Sequence, residues 1–268
     1  MAMFGARRRA GDTGPTGYLT SDGKNYKENG GGCGFKIGAS GFATCGGIAW
    51  VRLHREAIGA TVAENALNPA AMWDERFGKA EPVYGDEPNA YMREQAARIE
   101  RGKKLLVPGD GYGRNGIWLA KQGFEVHTVD VSQVGVERAR AAAEKAGVKM
   151  HIEQADALVW KWPVSEFDAV FSIFFHMPSL MRAEVHPKML AALKPGGLFI
   201  LTAFTPGQLK FSSGGPKQLD LLYTAEILKK DFAPAEVVEL EEVEVELKEG
   251  RLHSGRGAVV QGVFRKNK

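Results

Sequence analysis

Read for its alternation of apolar and polar positions, the chain changes texture twice. Beyond residue 103, short apolar runs alternate with longer stretches in which apolar residues recur every three or four positions. The runs predict strands over 104–108, 124–129, 148–153, 167–173 and 197–204. The longer spacing predicts helices over 114–122, 132–146, 179–193 and 224–231. Ala169-Val170-Phe171-Ser172-Ile173 and Leu198-Phe199-Ile200-Leu201 lack the regular polar positions of a strand with one wet face, so they suit a parallel sheet covered on both sides. Ser132 is placed to cap the second of these helices and Gly147 to end it. Toward the C-terminus the period becomes two: Val237 to Leu247 alternates apolar with acidic residues, Glu249-Gly250 supplies a turn, and Gly257 to Arg265 alternates again. Two such strands with no helix between them predict an antiparallel hairpin at the sheet edge, with Glu239, Glu241, Glu242, Glu244 and Glu246 on its solvated face.

Upstream of residue 68 no such period is sustained. Residues 1–67 are rich in glycine and read as a leader with too little apolar surface to offset its ordering entropy, probed by limited proteolysis. A glycine-rich flap over the active site is the alternative, and Met72 would make a sensible start for a domain over 68–268. At Trp73-Asp74-Glu75-Arg76-Phe77 the chain turns aromatic and charged, and a helix is expected over 88–101. Trp73, Phe77 and Tyr84 have two readings: packing of an N-terminal arm on the core, or the aromatic cover of a substrate pocket.

The stretch from Leu105 to Gly116 is a buried strand that breaks into a glycine-rich turn before a helix. Alternating glycines permit positive φ and remove the Cβ atoms that would hold a ligand away, and a helix N-terminus offers unpaired N–H groups. A nucleotide-like ligand is expected there. Taken as Gly109-x-Gly111-x-Gly113, the turn fits a methyl-donor site. Taken as Gly111-x-Gly113-x-x-Gly116, it satisfies the dinucleotide fingerprint and a nicotinamide-dependent oxidoreductase. Asp130 ends the second strand, where either scheme uses a carboxylate to accept hydrogen bonds from ribose hydroxyls.

Later residues separate the two. Asp156 and Ala157 follow the third strand, Phe167-Asp168-Ala169-Val170 opens the fourth, and Leu193-Lys194-Pro195-Gly196-Gly197 leads into the fifth. In that order these motifs resemble the class I S-adenosylmethionine-dependent methyltransferases over residues 72–268. Trp73 to Phe77, Val107 to Gly111, Gly113-Arg114-Asn115, Gly214-Gly215-Pro216 and Leu222-Tyr223-Thr224 resemble the tellurite-resistance and thiopurine (thiol) type. The resemblance implies an α/β, Rossmann-like, doubly wound seven-stranded sheet, mostly parallel with an antiparallel C-terminal hairpin. It implies S-adenosyl-L-methionine bound by Gly109, Asp110, Gly111, Gly113, Asn115, Asp130, Val131, Asp156, Ala157 and Ser172. Val107 stands where an acid often holds the methionine ammonium, which leaves backbone carbonyls or Asp110 for that role.

Methyl transfer needs alignment and exclusion of water more than acid–base groups, although a neutral hydroxyl or amine acceptor requires a base. His176, just past the fourth strand, is the catalytic candidate, against a purely structural reading of equal standing. Phe175, Phe204 and the polar loop 206–222, read as a lid, complete the expected pocket with Trp73, Phe77 and Tyr84. His127, His151 and His186 show no metal-ligand spacing, so no metal is expected. A third reading is a protein that binds the cofactor without catalysis.

Charge and cysteine usage narrow the partners. With 35 basic and 32 acidic residues the net charge is +3, too even to imply nucleic acid or an anionic membrane, which leaves a small-molecule acceptor. Cys33 and Cys45 match neither a zinc motif nor a disulfide framework, which points to the cytoplasm, and no apolar run is long enough for a membrane span.

Overall fold

A computed structural model describes residues 69–268. The expectations for residues 1–67, including the leader, the flap and both cysteines, lie outside the described residues.

Seven strands form one sheet: β1 (Lys104–Pro108), β2 (Glu125–Asp130), β3 (His151–Gln154), β4 (Phe167–Ile173), β5 (Leu193–Phe204), β6 (Ala235–Lys248) and β7 (Ser254–Lys266). Their spatial order is β3-β2-β1-β4-β5-β7-β6, with β7 inserted antiparallel to both neighbours and the other pairs parallel. The expected seven-stranded sheet with its C-terminal hairpin is therefore present. The helices are α1 (Pro69–Phe77), α2 (Ala90–Ala96), α3 (Arg114–Lys121), α4 (Gln133–Lys145), α5 (Ser179–Ala192) and α6 (Ala225–Asp231).

The strand period sorts the core into two layers. Leu106, Val170, Phe199 and Leu201 meet Val185, Met189, Leu228 and Phe232 on one face. Leu105, Val107, Ala169, Phe171 and Ile200 meet Tyr91, Met92 and Leu119 on the other. Neighbouring residues on each strand point to opposite faces, which is why the central runs are continuously apolar.

Capping sets where the helices begin and end. Ser132 accepts from Gly135 N at 2.9 Å, and Gly147, at φ +66°, closes the C-terminus of α4. The helix expected over 88–101 is shorter: after Ala96 the chain continues in turns to Gly102. Helix α1, which no periodic signal announced, packs on α4. Its Asp74 accepts from Ser132 Oγ at 2.5 Å and from Val134 N at 3.1 Å, so its place is set by the N-terminus of α4. Among the described residues no helix is long and apolar enough to cross a membrane.

Candidate cofactor and acceptor site

The glycine turn lies at the carboxyl ends of β1 and β2. Gly109, Gly111 and Gly113 all have positive φ, at +69°, +58° and +86°. A Cβ on Gly109 would fall 2.5 Å from the Phe175 ring, and one on Gly111 would fall 2.7 Å from the Phe77 ring. Two aromatic rings thus lie where the missing side chains leave room. Asp110 turns back to cap α3, its Oδ2 accepting from Gly116 N at 3.0 Å, while its Oδ1 is buried without a partner. Burial pushes this carboxyl up to about 7, against the pull of the Gly116 N–H and Arg114. Asp130 accepts from Gly111 N and Ser132 N, both at 2.8 Å, and burial raises it to about 6.

The residues expected around the adenosine gather beside Asp130. Ala155 N donates to Asp130 O at 2.9 Å, and Gln154 Nε2 donates to Val131 O at 3.0 Å. Asp156 Oδ1 accepts from Leu158 N, and Ala157 O accepts from Trp162 Nε1, which fixes the segment as a tight turn. Ser172 is buried in β4. Asn115 Oδ1 accepts from Asn89 N at 2.9 Å, so that side chain ties the N-terminal arm to α3.

The aromatic residues form two connected groups. Trp73 stacks on Phe77 at 5.2 Å, and Phe77 meets Tyr112 edge-on at 5.5 Å. Tyr112 Oη donates to Gly85 O and accepts from Tyr84 N, pinning residues 84 and 85 over the turn. The second group joins Phe174, His176, Phe204 and His253: Phe174 stacks on Phe204 at 4.7 Å, and His253 lies 4.7 Å from Phe174 and 5.2 Å from Phe204. Tyr84, 4.6 Å from His253, bridges the groups. Phe174 itself sits at φ +52°, a strained conformation for a bulky residue, where the chain leaves β4.

His176 has both ring nitrogens committed to the backbone. Nδ1 lies 2.6 Å from Leu221 O, and Nε2 accepts from Phe204 N at 3.3 Å. Burial pushes it down to about 4, which keeps it neutral. His253 was absent from the sequence expectations. It is buried, its Nδ1 makes no hydrogen bond and lies 3.7 Å from Glu249 Oε2, and burial lowers it. Glu249 in turn accepts from Asn89 Nδ2 at 2.6 Å and pairs with Arg114. Burial alone would raise Glu249; His253 and Arg114 outweigh it and hold the carboxyl below its ordinary value. The only sequence signal for this group was the Glu249-Gly250 turn, whose docking on residues 83–85 is long-range.

The loop 206–222 contains short 3-10 turns at Pro206–Lys210 and Leu219–Leu221. Buried Gln208 fastens it, donating to Ser213 Oγ and Gly214 O and accepting from Ala258 N. His127 and His151, expected to stand apart from any metal-like cluster, instead come together with Glu153. The strand register that joins them could not be read from either segment alone.

Residues 106–197 match a family described as a methyltransferase domain. Over these residues the chain carries a methyltransferase domain. The family's methyl donor is S-adenosyl-L-methionine, and the donor set fits it: a glycine turn in positive φ, a strand-end carboxylate, and a buried unpartnered Asp110 oxygen. The family match sets aside the Gly111-Gly113-Gly116 oxidoreductase reading, and the antiparallel β7 beside β5 departs from the mostly parallel order of dinucleotide-binding folds. The domain is similar to a thiopurine S-methyltransferase of Vibrio cholerae, 30% identical over 127 residues, covering 42% of this chain and 58% of that one. It is also similar to a 27-O-demethylrifamycin SV methyltransferase of Amycolatopsis mediterranei, 30% identical over 184 residues, 63% of this chain and 64% of that one. The chain therefore spans less than two thirds of either relative. In fold it matches a solved structure concerned with conversion of a disulfide bond into a thioacetal group during echinomycin biosynthesis. That match has a TM-score of 0.63 and 19% identity, covering 74% of this chain and 93% of that one.

Proposed function

We propose that the domain transfers a methyl group from S-adenosylmethionine to a small acceptor, a thiol first and a metalloid oxyanion next. The observation that carries this reading is the glycine turn with Asp130 beside it and the Phe77 and Phe175 rings laid over it. When bound, S-adenosylmethionine supplies a methyl carbon activated by its sulfonium. Asp130 would accept from the ribose hydroxyls, the 155–157 turn would border the adenine, and the Asp110 carboxylate would face the methionine ammonium. The rings of Trp73, Phe77 and Phe175 exclude water, which an in-line displacement requires.

The acceptor pocket is assigned to Tyr84, Phe174, Phe204 and His253. Its aromatic character favours a flat or apolar molecule with a soft nucleophile, and a thiol is already partly ionised near neutral pH, so alignment suffices. A relative named for sulfur methylation agrees with a thiol, while one named for oxygen methylation keeps a natural-product hydroxyl behind it. His176 acts in this reading as a strut between Leu221 and Phe204. A hydroxyl acceptor would need a base, and His253, the imidazole beside Phe174 and Phe204, is the candidate.

The test is calorimetric titration with S-adenosylmethionine, S-adenosylhomocysteine and NADH, repeated on Asp130→Ala, followed by a screen of thiols, metalloid oxyanions and hydroxylated natural products. Micromolar binding of the first two, weakened by the substitution, and turnover of a thiol are expected. Binding of NADH alone overturns the reading, and cofactor binding with no acceptor turned over reduces the domain to a binding module.

A further inference from the structure

Toward the amino ends of β2 and β3, three metal-ligating side chains share one face. The parallel register pairs His127 with His151, and Glu153 follows His151 by two residues, so strand alternation brings it to the same side. His127 lies three residues before Asp130, about 10 Å along the strand, which separates this cluster from the cofactor site. One ligand atom of each residue lies within 4.8 Å of the other two. Glu153 Oε2 is 3.4 Å from His127 Nε2 and 3.7 Å from His151 Nε2. Ligands about 2.0–2.1 Å from a tetrahedral zinc stand about 3.3–3.4 Å apart, so these separations need little adjustment.

Two further observations favour a cation. His127 Nε2 is buried and has no hydrogen-bond partner, an arrangement that buried polar atoms ordinarily avoid. The nearby Lys104 ammonium, whose charge is felt at His127, is paired with Glu166 at 2.6 Å and Glu125 at 3.4 Å. A hollow of about 430 Å³ lined by His127 and His151 together with Lys104, Lys149, Glu125 and Glu166 gives access from solvent. We propose that His127, His151 and Glu153 bind a divalent transition metal of the zinc class, with solvent in the fourth position, fastening the four-residue edge strand β3 to β2. Two imidazoles and one carboxylate suit zinc, cobalt or nickel over magnesium or calcium.

The experiment is calorimetric titration of the full chain with zinc chloride after chelator treatment, with thermal denaturation alongside, on the parent, His151→Ala, His151→Cys and Glu153→Gln. His151 and Glu153 are largely or partly exposed, so metal-free melting should match the parent's and serves as the check on folding. Expected are one micromolar site, a zinc-dependent rise in melting temperature, loss of affinity by more than about tenfold in His151→Ala and Glu153→Gln, and recovery in His151→Cys, whose thiolate also ligates zinc. No zinc binding by the parent overturns the proposal. So does binding that all three variants leave unchanged, since that would place the ion elsewhere, for instance on Cys33 and Cys45.

Discussion

The two halves of the site are built by opposite means. At the ends of β1 and β2, the proposed cofactor side is made from three short segments at successive strand ends, each tied to the next by hydrogen bonds: Gly109 to Gly116, Asp130 to Ser132, and 154–157. At the ends of β4 and β5, the proposed acceptor side is an aromatic group of Tyr84, Phe174, Phe204 and His253, which come from four separate segments. A turn that closes on itself is specified by its own residues, whereas a pocket assembled from distant segments is specified by whatever holds those segments together. Here Glu249 is the clamp, since its carboxylate binds Asn89 of the arm and Arg114 of α3 and lies beside His253 of the hairpin.

Breaking that clamp should have the largest effect. Arg114 and Glu249 are both only 8% exposed at the side chain, and removing one charge of a buried pair strands the other, at a cost of about 3–5 kcal/mol. Glu249→Gln keeps the hydrogen bond from Asn89 and loses the charge, so a loss of about 3 kcal/mol is expected in chemical denaturation. Acceptor turnover should fall more than cofactor affinity, because the residues displaced are Tyr84 and His253. Equal losses in both would mean that the two halves are not separately built.

That division also explains what the sequence disclosed. Strand positions, the Ser132 cap, the glycine turn and Asp130 follow from spacing and residue type within a few positions, and the hairpin follows from its period of two. Helix α1 escaped because Pro69 to Phe77 has no clear apolar face; it is held by Asp74 on Ser132 and by the Phe77 ring on Gly111 and Gly135. His253 and the His127–His151 pair escaped because a turn docking on residue 85 and a parallel register are relations between segments. His176 was visible as a histidine beside the sheet end, but its two backbone bonds to Leu221 and Phe204 were not.

On the cofactor side the sharper test is a pair of glycines. A Cβ on Gly116 would fall 2.5 Å from Met150, 2.6 Å from Asp110 Oδ2 and 2.8 Å from Thr128, so Gly116→Ala forces α3 away from β2 and the glycine turn. Overpacking of this kind costs about 1–3 kcal/mol, and displacing Asp110 should weaken cofactor binding as well. Gly123→Ala meets nothing within 4 Å and carries only the strain of its positive φ, about 1 kcal/mol. Melting temperatures and cofactor titrations on both variants check this: Gly116→Ala should lower both stability and affinity, Gly123→Ala stability alone. A Gly116→Ala protein with parental affinity would separate α3 packing from the site.

The smallest effect is a pH dependence in which stability and cofactor affinity move in opposite directions. Asp110 and Asp130 have folded values raised to about 7 and about 6, above the ordinary 3.8, so the folded protein holds protons that the unfolded chain has released. Stability from these groups is therefore greatest at low pH and declines as pH rises from about 4 toward 7. His176, lowered to about 4, acts the other way in the same window, because the unfolded chain takes up a proton that the folded imidazole refuses. The parent's melting profile mixes the two, but its difference from Asp110→Asn isolates one. Asparagine can still accept from Gly116 N and carries no buried charge, so its melting temperature should gain on the parent's between pH 5 and pH 8. Cofactor affinity should do the reverse in the parent, rising as Asp110 and Asp130 ionise, and should flatten near pH 7 in Asp110→Asn. An affinity profile that the substitution leaves unchanged would remove Asp110 from the ammonium site and leave that role to backbone carbonyls of the turn.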